Sequence, residues 1–316
     1  MQKILKNVEP SIRTYLGDAF CFSVIDDLAF GSGWIYDKYI RLEYTPEDGH
    51  IKYADYDYYD FIPGEGVFIK SFTQIPIGAC SQEYICDVVI QMLENGEYFF
   101  ALWDENVVFS YLTGEEYTGI YEHGCFIYGY DSGRKMFYSQ GYVTSEKWER
   151  FTVPFDVFYQ ALSYFPEKGE IAFIGYKVVE NYKWEFDFDK MKTAMCEFLQ
   201  ETVCNKIYNI KAEEIFFEMM LTKEYLHYPS LYCMFEHKKI MGKRLNFLMQ
   251  NHFIKENSQF INQVHHLEKN FRSILITGIE YNRKKTEYLK QTLYKMAVEA
   301  IKEERSFMER LKKEFT

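Results

Sequence analysis

The chain has 316 residues, 47% hydrophobic and 19% aromatic, enough for one large core or two ordinary ones and too apolar for a disordered chain. Its net charge of −11 argues against general nucleic-acid binding, which draws its affinity largely from Lys and Arg. Residues 1–180 hold 13 Lys+Arg against 28 Asp+Glu and residues 181–316 hold 23 against 19, so a domain boundary is expected near residue 180.

In chain order, Met1–Asn7 lacks the long apolar run of a secretory signal, and no later run is long enough to span a membrane. Cys21 to Ala29 is apolar and helix-like, with Cys21 at the expected helix start. Trp34-Ile35-Tyr36 and Ile40–Tyr44 read as short extended segments, closed by the turn Pro46-Glu47-Asp48-Gly49. The aromatic–acidic alternation of Tyr53–Phe61 suits a half-exposed strand. Gln82–Asn95 has helical spacing and ends at Asn95-Gly96, a natural C-cap.

Tyr98–Trp103 is a continuous apolar run and predicts a buried strand. A second strand is expected over 122–130, headed by His123 and joined to Lys135–Ser139 as a hairpin across Asp131–Arg134. A short helix over Val157–Tyr164 and a strand over Glu170–Val178 complete a mostly antiparallel α+β region. Beyond Tyr182 the period becomes helical: Asp189–Glu201, Tyr232–Gln250, and long amphipathic helices from Ser258 to Phe315. The expected organisation is therefore an α+β domain over 1–180 and an all-α domain over 185–316.

Seven cysteines with no C-x-x-C pair argue against a disulfide framework or zinc ribbon and favour reduced thiols in a cytoplasm. The one pairing that could carry covalent chemistry is Cys21 with His123. A helix N-terminus and a nearby imidazolium both lower a thiol's pKa, and the histidine then moves the proton to the leaving group. Cys125, two residues from His123 on the same strand, reads as packing, and the adjacent His265-His266 lack metal-ligand spacing.

Val88–Gly96, the run to Trp103, and His123-Gly124-Cys125-Phe126-Ile127-Tyr128-Gly129-Tyr130-Asp131 together resemble the N-terminal domain of butirosin-biosynthesis-type acyltransferases. These are papain-like proteins, more distantly similar to bacteriocin-processing cysteine peptidases. Thr152–Leu162 is similar to that family's next helix, and Met234–Leu245 to the helical domain often fused behind it. The resemblance implies a papain-like domain with Cys21 as nucleophile and His123 as general base and acid. Cys21 would take an acyl or aminoacyl group from an acyl or peptidyl carrier protein and pass it to a small amine, forming an amide in secondary metabolism.

Under that resemblance no cofactor is needed beyond the phosphopantetheine of the carrier substrate. The residue that would orient the histidine falls at Gln140, where the family has an acid or amide, and no glutamine precedes Cys21 to build an oxyanion hole. A cysteine peptidase and a non-catalytic scaffold with a degenerate site are the alternatives. The basic residues Lys238, Lys239, Lys243 and Arg244, at helical spacings, are the expected docking face for an acidic carrier protein, the alternative being that they neutralise the acidic first domain across a domain interface.

Overall fold

The computed structural model describes residues 1–315 except 29–30, 55–65, 145–146, 165–168, 200–201, 204–205 and 223–224. Strand β1 (Gln2–Ile4) leads into helices α1 (Leu16–Ile25) and α2 (Gly31–Lys38), then strands β2 (Leu42–Thr45), β3 (His50–Tyr53) and β4 (Phe68–Ile75). Next come α3 (Gln82–Glu94), β5 (Tyr98–Asp104), α4 (Glu105–Thr113), β6 (Glu122–Asp131), β7 (Met136–Thr144) and β8 (Lys147–Pro154). Helix α5 (Phe155–Ser163), β9 (Ile171–Val178), α6 (Phe188–Glu197), β10 (Thr202–Val203) and β11 (Lys206–Tyr208) follow. The chain closes with α7 (Asn209–Met220), α8 (Tyr228–Gln250), α9 (Ser258–Lys284) and α10 (Glu287–Phe315).

These elements form two compact units: unit 1 is Met1–Asp27 with Tyr59–Lys183, and unit 2 is Leu28–Tyr58 with Trp184–Thr316. The protein is a mixed α+β chain with a helical C-terminal region. The units differ from the expected consecutive halves because Leu28–Tyr58 belongs with the later residues. Strand β2 finds its second neighbour in β11, with Ile207 opposite Tyr44. Two further backbone donors of the segment are met from far along the chain, Leu42 N–H by Asn209 Oδ1 at 2.9 Å and Ile51 N–H by Ser230 Oγ at 2.7 Å. Backbone groups taken out of water need partners, and here the partners lie beyond residue 200.

Unit 1 is built on an antiparallel sheet in the order β4-β9-β5-β6-β7-β8, with β1 pairing β6 beyond the β5 register. Ser81 caps α3 by accepting the Tyr84 N–H, and the apolar stripe Ile85, Val89, Leu93 packs with Phe158, Ala161 and Leu162 of α5 onto one sheet face. Phe99, Phe158 and Phe173 are fully buried there, each worth about 1.5–3 kcal/mol of transfer free energy. The opposite face receives α1: Phe20 stacks on Phe126 at 4.9 Å between centroids and meets Phe100 edge-on at 6.2 Å.

Unit 2 carries a four-stranded antiparallel sheet, β10-β11-β2-β3, beside helices α6 to α10. Trp34-Ile35-Tyr36, expected to be extended, is part of α2. Gly33 is in close quarters with the Trp184 ring, which an added Cβ would meet at 2.4 Å, and Tyr36 packs on Phe247. Those contacts join residues far apart in sequence and are invisible to local pattern. The alternating stretch Tyr53–Phe61 lies largely outside the described residues.

Candidate functional site

His123 stands at the head of β6, and the site around it is made by the return from β5. Strand register sets Trp103 opposite His123 and Asp104 opposite Glu122. Asp104 then starts α4, its Oδ1 accepting the N–H of Asn106 at 3.1 Å and of Tyr121 at 3.0 Å. Glu105 N–H donates to the Tyr121 carbonyl, and Asn106 Nδ2 to the carbonyls of Thr118 and Gly119. Gly114, at φ +73, lets the chain leave α4 in the left-handed conformation and turn back. The stretch just before His123 is thus tied to the first turn of α4.

The consequence is a contact of 2.6 Å between His123 Nδ1 and Glu105 Oε2. The glutamate side chain is only 6% exposed, while the imidazole keeps 34% of its surface. With Nδ1 engaged by a carboxylate, Nε2 is the ring nitrogen left to face another partner. The Tyr121 ring lies 5.3 Å from the imidazole, and Tyr117 and Ile120 expose apolar surface on the same loop. Burial, and secondarily the Glu105 charge, raise the Tyr121 phenol above its ordinary range, so it stays a donor. Trp103 Nε1 and Asp104 Oδ2 are buried without a hydrogen-bond partner.

Cys21 is not part of this arrangement. Antiparallel partners project to one side of a sheet and successive residues to opposite sides. His123, Cys125 and Ile127 therefore share a face with Trp103, Ala101 and Phe99, whereas Gly124 and Phe126 share the other with Leu102 and Phe100. Helix α1 packs on that second face, where a Cβ on Gly124 would come 3.8 Å from Phe20. Cys21 is also the sixth residue of its ten-residue helix rather than its first, and it is wholly buried. The expected dyad is corrected on both counts: α1 and the imidazole lie on opposite sides of the sheet, and the thiol is not at the helix N-terminus.

Gln140 is corrected for the same reason. It alternates with Ser139 on β7 and shares its side with Tyr142, whose ring meets Trp148, itself packed on Phe20. Its amide lies on the α1 face, buried, with neither atom hydrogen-bonded. The residue that orients His123 is Glu105, which the sequence reading missed. The available signal was Asp104-Glu105 directly after the buried strand, since an antiparallel return must bring those residues beside 122–123. Cys125 does share the face of His123, but burial pushes its thiol up to about 12, far from a thiolate at neutral pH.

The four cations expected to form a docking face also separate. Lys238 and Arg244 are buried, at 1% and 0% exposure, and only Lys239, half-buried, and Lys243, exposed, reach the surface. Arg244 donates through Nε to the Tyr36 carbonyl at 2.7 Å and through Nη2 to that of Tyr39 at 2.6 Å. Lys238 Nζ is 2.6 Å from Glu213 Oε1, 2.5 Å from Glu304 Oε1 and 3.3 Å from His237 Nδ1. Donor atoms of Glu213, His237 and Glu304 lie within 4.8 Å of one another, as for a metal, but the ammonium already fills the space between them. Among the described residues this is the one such group.

Unit 2 also has a concavity of about 380 Å³ lined by Asp48, His50, Met219, Tyr225 and His227, where the two imidazoles stack at 3.5 Å between centroids. No helix among the described residues is long and apolar enough to cross a membrane. No family model matches this chain, and no curated protein matches it.

Proposed function

We propose that unit 1 is a papain-like variant that catalyses acyl transfer by general acid–base chemistry, with His123 as the proton-transfer residue and Glu105 as its orienting partner. The observation that carries this reading is the 2.6 Å contact between a nearly buried carboxylate and an imidazole with a third of its surface exposed. In the proposed step His123 Nε2 takes a proton from an amine as its nitrogen attacks the carbonyl carbon of a carrier-bound thioester. The C–N bond forms, the C–S bond breaks, and the imidazolium returns the proton to the departing thiolate. The exposed rings of Tyr117 and Tyr121 give the acceptor an apolar surface beside the base. The thioester donor and amine acceptor rest on the sequence resemblance; the site supplies the base. No acyl-cysteine intermediate is included, since Cys21 lies across the sheet.

A second reading, a non-catalytic scaffold or binding protein, is favoured by the same placement of Cys21 and Gln140. One experiment separates the two. The full chain is incubated with an acyl-phosphopantetheine thioester and a panel of small amines, and amide formation is followed by mass spectrometry. The catalytic reading expects turnover that is lost in His123→Ala and retained in Cys21→Ala. Turnover abolished by Cys21→Ala in a folded protein would restore the covalent route, and absence of turnover in the native chain would favour the scaffold.

A further inference from the structure

The Glu213–Lys238–Glu304 cluster has no part in the proposed chemistry, yet it is the most deeply buried set of charges described in unit 2. Glu213 comes from α7, His237 and Lys238 from α8, and Glu304 from α10, each at 1% exposure or less. The ammonium lies 4.5 Å from the Phe271 ring centroid of α9 and 5.9 Å from that of Phe198. His237 Nε2–H donates to the Ile40 carbonyl at 2.8 Å, so Nδ1 is left as an acceptor facing the ammonium and the ring is neutral. Of the other described charges on these elements, Glu214 pairs with Arg305 and Lys211, Arg244 donates to the carbonyls of Tyr36 and Tyr39, and Glu236, next to His237 in sequence, is a further buried carboxyl of α8.

One ammonium thus faces two carboxylates and a neutral imidazole. Glu213 Oε2 and Glu304 Oε2 are both buried and find no hydrogen-bond donor among the described residues. A second negative charge left unbalanced in a dry interior is costly, and an acceptor without a donor adds to that cost. The smallest group that supplies both the missing charge and the missing donor is a proton.

We propose that unit 2 folds around one extra proton held between Glu213 and Glu304, so that its stability falls as mildly alkaline solution withdraws it. Burial first, and then the Glu304 charge, hold the Glu213 carboxyl well above its ordinary value of 4.5. The unfolded chain releases that proton above 4.5 while the folded chain keeps it, so stability present at low pH declines as pH rises toward the folded value. His237 acts in the opposite sense: burial and Lys238 hold it below its ordinary 6.5, so stability is lost there as pH falls. The two slopes oppose each other between 4.5 and 6.5, and the carboxyl acts alone above 6.5. Lys238, raised from 10.5 by the two carboxylates despite its burial, does not titrate in that window.

The test is urea unfolding of the full chain, followed by loss of helical circular dichroism, from pH 7 to pH 9. The unfolding constant of the native chain, divided by that of Glu213→Gln, should climb by up to about tenfold per pH unit, one proton's worth. A ratio that does not change with pH overturns the proposal. Should the variant fold poorly, infrared spectroscopy of the native chain at pH 7.5 decides, because exposed carboxyls are ionised there. A protonated-carboxyl C=O band, sharp and inaccessible to solvent, is expected; its absence also overturns the proposal.

Discussion

Each unit places a histidine close to a carboxylate-bearing partner, and the two outcomes differ in one variable, access to water. In unit 1, His123 keeps a third of its side-chain surface and pairs directly with Glu105. In unit 2, His237 is sealed and neutral, and a single lysine stands between the two carboxylates beside it. The first arrangement leaves its imidazole partly open to solvent, whereas the second keeps its charged groups out of it. Overall charge divides the same way: unit 1 has 11 Lys+Arg against 22 Asp+Glu, and unit 2 has 25 against 25. The basic C-terminal part expected from the sequence is therefore neutral once Leu28–Tyr58 is counted with it. Type and spacing of charged residues do not assign a role until burial is known.

The comparison can be broken most sharply in unit 2. Lys238→Met removes the one cation between Glu213 and Glu304 among the described residues and should destabilise the chain by about 3–5 kcal/mol in urea unfolding, since two carboxyls are left without it. A cost near zero would show that the cluster is not sealed. In unit 1 the loss should fall on rate. His123→Ala should lower amide formation by about 10²–10⁴-fold with little change in unfolding midpoint, and Glu105→Gln by a smaller factor, with an altered pH–rate profile. Equal losses of stability and rate would make the pair structural.

A smaller effect is expected where one hydroxyl serves the backbone. Ser230→Ala leaves the Ile51 N–H without its acceptor and should cost about 1–3 kcal/mol, read as faster hydrogen exchange along β3. The least change is expected from Lys239→Glu with Lys243→Glu. With Lys238 and Arg244 buried, only these two of the four cations reach the surface, and the pair should shift stability by less than about 1 kcal/mol and leave acyl transfer unaltered. Slower, salt-sensitive transfer in that variant would return the carrier protein to this surface.

Local pattern alone determined much of this protein. The helical spacing and Asn95-Gly96 stop of α3, the unbroken apolar run of β5, the strand headed by His123 and the long C-terminal helices all follow from period and punctuation, which act over a few residues. Tertiary structure decided what those elements do. The pleat fixes side-chain direction with a period of two, but only packing says which face receives α1, and that choice put Cys21 and Gln140 opposite His123. Glu105 reached His123 through strand register, Leu28–Tyr58 joined unit 2 through a ladder with β11, and Lys238 went inside because two helices supply carboxylates there. Each is a long-range pairing whose free energy exists only once both partners are in place, so neither partner's local sequence announces it.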